Sequence, residues 1–148
     1  VTSKYTKIAQ KKSELKSMNI YKSICKIIGI EIEKTEVFEL IKGAKSKYLD
    51  TLKNIEIILR QGKLFGQANV VENLTQNLIA EDYQIFVNDI NSVNMWGGSG
   101  AVWEVYFEDK NLQRKFNFEI LELINLMEKT KVLVGGIKPL KKLFEKEL

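Results

Sequence analysis

Apolar residues recur every three or four positions over one long stretch of the chain. The stretch begins near Thr35 and Glu36 and carries Val37, Phe38, Ile41, Ala44, Tyr48, Leu52, Ile55, Ile58 and Leu59. Such spacing places the residues on one side of an α-helix and predicts a core helix of about 25 residues. Gly62 is expected to end this helix, with Arg60 beside the negative end of the helix dipole. A coiled-coil dimer is the alternative interpretation of the same stripe.

The first segment, from Ser3 to Ile28, also has a helical period, but its first half is polar. Its apolar residues are Ile8, Leu15, Met18, Ile20, Ile24, Ile27 and Ile28. We expect a basic N-terminal helix over 1–28 that projects or packs along one edge and stops at Gly29. Cys25, the only cysteine, falls among these isoleucines, where a thiol behaves as a small hydrophobe.

Further helices are predicted along the rest of the chain. One covers about Gly66 to Ala80, another follows Asp82 as N-cap, a third covers 111–129, and the last has Pro139 in its first turn. Their expected buried residues are Ala68, Val71, Leu74, Leu78, Phe86, Ile90, Val93, Leu112, Phe116, Ile120, Leu123, Ile124, Met127, Ile137, Leu140, Leu143 and Phe144. The chain is therefore predicted to be a single all-α domain over 1–148. It should form an irregular bundle of about six or seven helices whose core is 35–148.

Residues 101–108 fit two kinds of secondary structure. Alternation of Trp103, Val105 and Phe107 is typical of a strand, whereas the same stretch also fits a helical turn. We favour the helix, because Ser99 can cap it and no partner strand is evident elsewhere.

The segment between the two tryptophans is the most unusual feature of the sequence. It holds three glycines and a serine, and large aromatic side chains stand on both sides of it. Glycine is used where the backbone needs positive φ or where another group approaches closely. This Gly-rich corner at 97–100 is either an internal turn or a binding site. Its candidate binding residues are Trp96, Gly97, Gly98, Ser99, Gly100, Trp103 and Glu104.

The corner also carries a resemblance to known proteins. Over about 57–126, the order of elements resembles a group of small uncharacterised bacterial helical proteins. In that group an aromatic residue precedes Gly-Gly-x-Gly and an acidic residue follows. Residues 96–100 and Glu104 match this pattern, although Ser99 stands where methionine is frequent. The resemblance covers under half of the chain and implies an all-helical fold with a structural or interaction role for the motif.

The composition excludes several classes of enzyme. There is no histidine and only one cysteine, so histidine-dependent triads and zinc sites built on imidazole or several thiolates are absent. A phosphate-binding P-loop needs lysine after its last glycine, where Ala101 stands. Glu104, Glu108 and Asp109 form an acidic cluster that could hold Mg²⁺ only with an oxygen ligand from another element. We therefore expect no catalytic residue, no cofactor and no metal.

Charge is distributed unevenly along the chain, whose net charge is +4. Residues 1–28 carry seven lysines against one acid, whereas 49–100 carry six acids against three bases. A basic segment of this kind suits a solvated face, an acidic protein, nucleic acid or an anionic surface. The candidate nucleic-acid contacts are Lys4, Lys7, Lys11, Lys12 and Lys16. Because the chain has only two arginines, such binding would be nonspecific.

These observations predict a non-enzymatic protein-interaction module, of which the immunity or antidote member of a toxin pair is one form. The alternative is a lysine-rich nonspecific nucleic-acid-binding protein. No stretch is long and apolar enough for a membrane span and no secretion signal is evident, so we expect a cytoplasmic protein. The partner is expected to be another protein, and the sequence leaves the oligomeric state open.

Overall fold

The structure, a computed structural model, describes most of the chain: Ser23, Lys26, Gly29, Glu31 and residues 33–148. The chain divides into two compact units, residues 1–36 and 37–148, which we describe one at a time. Some sequence predictions fall outside the described residues: most of the helix over 1–28, the surroundings of Cys25, and the five candidate lysines Lys4, Lys7, Lys11, Lys12 and Lys16.

In the first unit every described residue is helical, including Gly29. The hydroxyl of Thr35 donates a hydrogen bond of 2.9 Å to the carbonyl oxygen of Glu31. The predicted helix end at Gly29 and the new start at Thr35 are therefore wrong. A glycine costs a helix only about 1 kcal/mol relative to alanine, and Thr35 bonds back to the preceding turn instead of capping a new helix.

The second unit is built from consecutive helices: α1, of which residues 37–43 belong to this unit, α2 (Lys45–Gln61), α3 (Phe65–Ile79), α4 (Tyr83–Ile90), α5 (Val93–Trp96), α6 (Lys110–Lys129) and α7 (Lys138–Glu147). Short 3₁₀ turns cover Val102–Glu104 and Gly135–Ile137. The described residues contain no strand, so the all-α prediction is confirmed. Among these residues, no helix has the length and apolar character that crossing a membrane requires.

The core forms around α2, which packs on α3 and α6, while α7 packs on α6 and α4 on α3. The predicted apolar stripes of α2, α3 and α6 supply most of this core. Their fully buried members include Tyr48, Leu52, Ile55, Leu59, Val71, Leu74, Leu78, Phe116, Ile120, Leu123, Ile124 and Met127. Asp82 caps α4 as predicted, because its carboxylate accepts a hydrogen bond from the Ile85 amide at 3.2 Å.

The long helix predicted from Thr35 to Gly62 is interrupted once, at Ala44. This residue has φ −101° and ψ 4°, and α2 begins immediately after it. The Ala44 amide lies 3.1 Å from the Leu40 carbonyl oxygen and 3.0 Å from that of Ile41, so one turn residue separates α1 from α2. The predicted end at Gly62 is confirmed.

Residues 101–108 form neither the predicted helix nor a strand. A 3₁₀ turn covers Val102–Glu104, and the chain then runs extended towards Asp109, which caps α6. Ser99 caps nothing, because the residue preceding the turn is Ala101. The Phe107 amide donates a hydrogen bond of 2.7 Å to Gln113 Oε1, and this contact joins the segment to α6.

Two residues predicted in the core are exposed. Val93 is 78% exposed, because α4 ends at Ile90 and the break before α5 changes the helical phase. Leu143 is 41% exposed, since Phe144 is the buried residue of α7.

Candidate functional site

The indole N–H groups of both tryptophans donate hydrogen bonds to backbone carbonyl oxygens. Trp96 Nε1 donates to the Ile90 carbonyl oxygen at 2.6 Å, and Trp103 Nε1 donates to the Gly97 carbonyl oxygen at 2.7 Å. Both rings are half-buried and pack against the core. These bonds tie the two ends of the corner to the backbone, so the indoles serve first to hold the turn.

The glycines of the corner have different reasons for being glycine. A Cβ on Gly97 would lie 2.5 Å from the Val93 carbonyl oxygen, and Gly100 has a φ of +92°. Gln67 of α3 also donates a hydrogen bond of 3.1 Å to the Gly100 carbonyl oxygen. Gly98, by contrast, is exposed, and a Cβ there would meet no atom within 4 Å. The turn therefore needs glycine at positions 97 and 100.

The acidic cluster next to the corner does not converge on one point. Glu104 and Glu108 are exposed, and Asp109 Oδ1 accepts hydrogen bonds from the Asn111 and Leu112 amides of α6. Over Ser23, Lys26, Gly29, Glu31 and 33–148, no group of three or more carboxylate or thiol side chains could hold a metal ion.

Trp103 and Glu104 line a groove of about 580 Å³, here called the corner groove. The remaining residues around it are Val105, Tyr106, Gln113, Asn117, Leu143, Phe144 and Glu147. The other candidate binding residues, at positions 96–100, do not line it. The structure thus brings only part of the predicted site into a concave surface.

Asn117, a buried polar residue that sequence reasoning missed, lies at one side of the corner groove. It is only 4% exposed, and its Nδ2 donates a hydrogen bond of 2.9 Å to Glu147 Oε2. Its Oδ1 accepts one of 2.8 Å from Gln113 Nε2, and Gln113 in turn accepts from the Phe107 amide. A chain of amide hydrogen bonds therefore runs from the backbone of Phe107 to the carboxylate of Glu147.

A larger groove, of about 1010 Å³, lies between α2 and α6 and is here called the α2–α6 groove. Its lining residues are Asn54, Ile57, Ile58, Asn111, Arg114, Lys115, Phe118, Glu119 and Leu148. Ile57 is 43% exposed and Phe118 is 52% exposed, although both lie on helices whose other large apolar residues are mostly buried.

These two exposed residues are out of phase with the buried stripe of their own helix. Two positions along an α-helix correspond to a rotation of about 200°, so residues two apart point in nearly opposite directions. Ile57 and Phe118 each have a buried neighbour two positions away on both sides. Those neighbours are Ile55, Leu59, Phe116 and Ile120. This spacing is a signal in the sequence for the exposed residues of the α2–α6 groove.

The polar side of the α2–α6 groove carries more positive than negative charge. Arg114 and Lys115 are both exposed, and Arg114 Nη2 donates to the Leu148 carbonyl oxygen at 3.2 Å. Among the side chains that line the groove, the one carboxylate is that of Glu119, whose Oε1 accepts a hydrogen bond of 3.0 Å from Asn54. Burial raises the pKa of Glu119 above its ordinary value, because desolvation disfavours the charged form.

No family model, curated protein or solved structure matches this chain. The similarity of 57–126 to small bacterial helical proteins therefore stays an expectation. The candidate sites rest on the geometry described above.

Proposed function

We propose that this chain is a non-enzymatic protein-interaction module that holds an amphipathic helix of another protein in the α2–α6 groove. The observation that carries the proposal is the convergence of Ile57 and Phe118. Each interrupts the apolar period of its own helix, and both line the same groove. An isolated exposed hydrophobe is common, but two that meet in one concave surface indicate a contact site.

The energetics of the α2–α6 groove suit a partner helix. Fully burying a Phe or Ile side chain contributes about 1.5–3 kcal/mol, so covering the exposed halves of Ile57 and Phe118 would contribute about 1 kcal/mol each. Asn54 and Asn111 lie on the lining beside them and supply amide groups for a polar rim. A helix laid in such a groove presents apolar anchors spaced three or four residues apart.

Charge complementarity specifies the polar side of the partner helix. Arg114 and Lys115 share the groove lining with one carboxylate side chain, that of Glu119, whose ionisation is weakened by burial. A partner helix with Asp or Glu beside its apolar anchors would pair with these cations. We therefore expect an acidic amphipathic partner.

The test compares three baits in affinity capture from the source cells. They are the wild-type chain, a double variant carrying Ile57→Glu and Phe118→Glu, and the control Ile79→Glu. Ile79 is 54% exposed on α3 and does not line the α2–α6 groove, so its substitution makes a similar change elsewhere. Thermal unfolding should be similar for all three proteins, because each substituted side chain is partly exposed.

A partner held by wild type and by the Ile79 control, but lost from the double variant, supports the proposal. Equal capture by all three baits contradicts it. Dimers of the wild-type chain that the double variant cannot form would assign the groove to self-association instead. If the chain is the antidote member of a toxin pair, the captured partner is the toxin.

The distribution of charge favours one second candidate, nonspecific nucleic-acid binding. Residues 37–148 contain fifteen basic and fifteen acidic residues, so the net charge of +4 comes entirely from 1–36. Replacing Lys4, Lys7, Lys11, Lys12 and Lys16 by Gln should then abolish binding to duplex DNA or RNA. Wild-type binding should weaken steeply with added salt, because neutralised phosphates release counterions. Binding that ignores salt and survives the five substitutions would contradict this candidate. Both candidates suit the cytoplasmic setting that the sequence predicts.

A further inference from the structure

The Glu147 carboxylate lines the corner groove and is bonded to a buried side chain. Glu147 Oε2 accepts the 2.9 Å hydrogen bond from Asn117, which is only 4% exposed. Asn117 is itself fixed by Gln113, and Gln113 by the Phe107 amide. A surface glutamate normally loses side-chain entropy when it pairs with a ligand. Here the chain of hydrogen bonds through Gln113 and Asn117 has already restricted the Glu147 side chain.

Aromatic and apolar side chains form the walls beside this carboxylate. Trp103 is half-buried in one wall with its indole N–H bonded to the Gly97 carbonyl, and Tyr106 is 76% exposed next to it. Leu143 and the buried Phe144 of α7 also line the groove. Aromatic rings, such as those of Trp103 and Tyr106, attract cations through their negative faces.

The charged side chains that line the corner groove have one sign. Glu104 and Glu147 both line it, and none of its nine lining residues is Lys or Arg. Trp103 and Glu104 also fall in a stretch of the sequence, residues 64–109, that contains seven acids and no lysine or arginine. The cation Lys141 of α7 is paired with Glu128 of α6 at 2.6 Å, outside the groove lining.

We propose that the corner groove binds an organic cation, an ammonium or guanidinium group on an alkyl chain. The charged end would lie between the carboxylates of Glu104 and Glu147, and the alkyl chain against Trp103, Tyr106 and Leu143. A lysine or arginine side chain of a partner protein has this chemistry, and so does a free alkylamine. The inference goes beyond the proposed function, because it concerns a different groove and a different ligand.

The test follows the two indole N–H resonances by nuclear magnetic resonance, using the full chain. The chain has two tryptophans, so Trp103 reports on the groove and Trp96 serves as an internal reference, assigned with Trp96→Phe. The probes are butylammonium, butylguanidinium and a capped Gly-Lys-Gly peptide, with 1-butanol as the neutral control. We expect the Trp103 resonance to shift saturably when the cations are added and not to shift when butanol is added. If the peptide binds more tightly than butylammonium, the ligand is a protein side chain. If the two bind equally, the ligand is a free amine.

The variants separate charge from structure. Glu147→Gln keeps an acceptor for Asn117 and removes the charge, and Glu104→Gln removes an exposed carboxylate that caps nothing. Each should weaken cation binding by about fivefold. Glu145→Gln makes the same change on α7 away from the groove lining and should leave binding unchanged. The proposal would be overturned if butanol bound as tightly as butylammonium. It would also be overturned if both groove variants bound cations as tightly as wild type. Neither result depends on a partner for the α2–α6 groove.

Discussion

The ring of Phe107 occupies the place that a β-carbon of Gly62 would take. A Cβ built on Gly62 lies 2.7 Å from Phe107 Cδ1 and nearer still to Cε1. Gly62 has a φ of −78°, so it is glycine for the close approach and not for a left-handed backbone. Through this contact the end of α2 packs against the extended segment that forms one wall of the corner groove.

The Gly62–Phe107 contact predicts that Gly62→Ala destabilises the protein by about 1–3 kcal/mol, because the added methyl group overpacks the contact. Gly66→Ala is the matched control. It lies in the first turn of α3, where a Cβ would meet no atom within 4 Å. That change should leave stability unchanged or raise it by up to about 1 kcal/mol. Urea unfolding of the two variants measures the difference, and equal free energies of unfolding would show that the contact is absent.

In the corner, substitution at position 100 should be costly and substitution at position 98 should be tolerated. Gly100 has a φ of +92°, which a residue with a β-carbon adopts only at a cost of about 1–2 kcal/mol. Gly98 has no such φ, and its surroundings are open. Thermal unfolding of Gly100→Ala and Gly98→Ala tests this directly. A larger loss for Gly98→Ala would contradict the backbone described here.

The indole hydrogen bonds of the corner should be measurable one at a time. Trp96→Phe and Trp103→Phe keep an aromatic ring and remove the donors to the Ile90 and Gly97 carbonyl oxygens. Each should lower the free energy of unfolding by about 1 kcal/mol or more, because a half-buried carbonyl loses its partner. Neutral effects of both changes would mean that the tryptophans do not hold the turn.

The buried pair of Tyr48 and Thr130 predicts a loss of stability in alkaline solution. Their hydroxyl oxygens lie 2.8 Å apart. Burial raises the pKa of Tyr48 well above its ordinary value of 10.0, and the hydrogen bond with Thr130 lowers it only in part. The unfolded chain therefore ionises this phenol first. The stability that Tyr48 contributes is fully present below pH 10 and is lost above it, by up to about 1.4 kcal/mol per pH unit.

Tyr48→Phe should accordingly cost about 1 kcal/mol at neutral pH and reduce the slope of stability against pH above 10. Tyr106→Phe is the control, because Tyr106 is 76% exposed and should change neither quantity. Chemical unfolding at a series of pH values measures both. An unchanged alkaline slope in Tyr48→Phe would mean that another group sets it.

Much of the fold could be predicted because helical periods are local. The stripes of α3 and α6, the Asp82 cap and the position of Pro139 in the first turn of α7 all depend on residues within a few positions of one another. The same local signals misplaced the helix end at Gly29 and the inner face at Val93, since a glycine does not by itself stop a helix and a short break changes the phase.

The candidate sites were less accessible to sequence reasoning. The corner was recognisable by its glycines and tryptophans, but its role depends on where the indoles and Gln67 find acceptors. The α2–α6 groove had a local signal, the out-of-phase Ile57 and Phe118. Their convergence, however, requires knowing which faces of the two helices meet.

By itself, the sequence determined that this protein is helical, which residues form its main stripes, and that the given chain offers no histidine side chain. Those properties follow from composition and from contacts between near neighbours. Only the tertiary structure decided that 105–107 form no helix or strand, that Gly62 leaves room for the ring of Phe107, and that Asn117 bonds to Glu147. These relationships join residues that are far apart in the chain. A helical period carries no information about which distant residues come into contact.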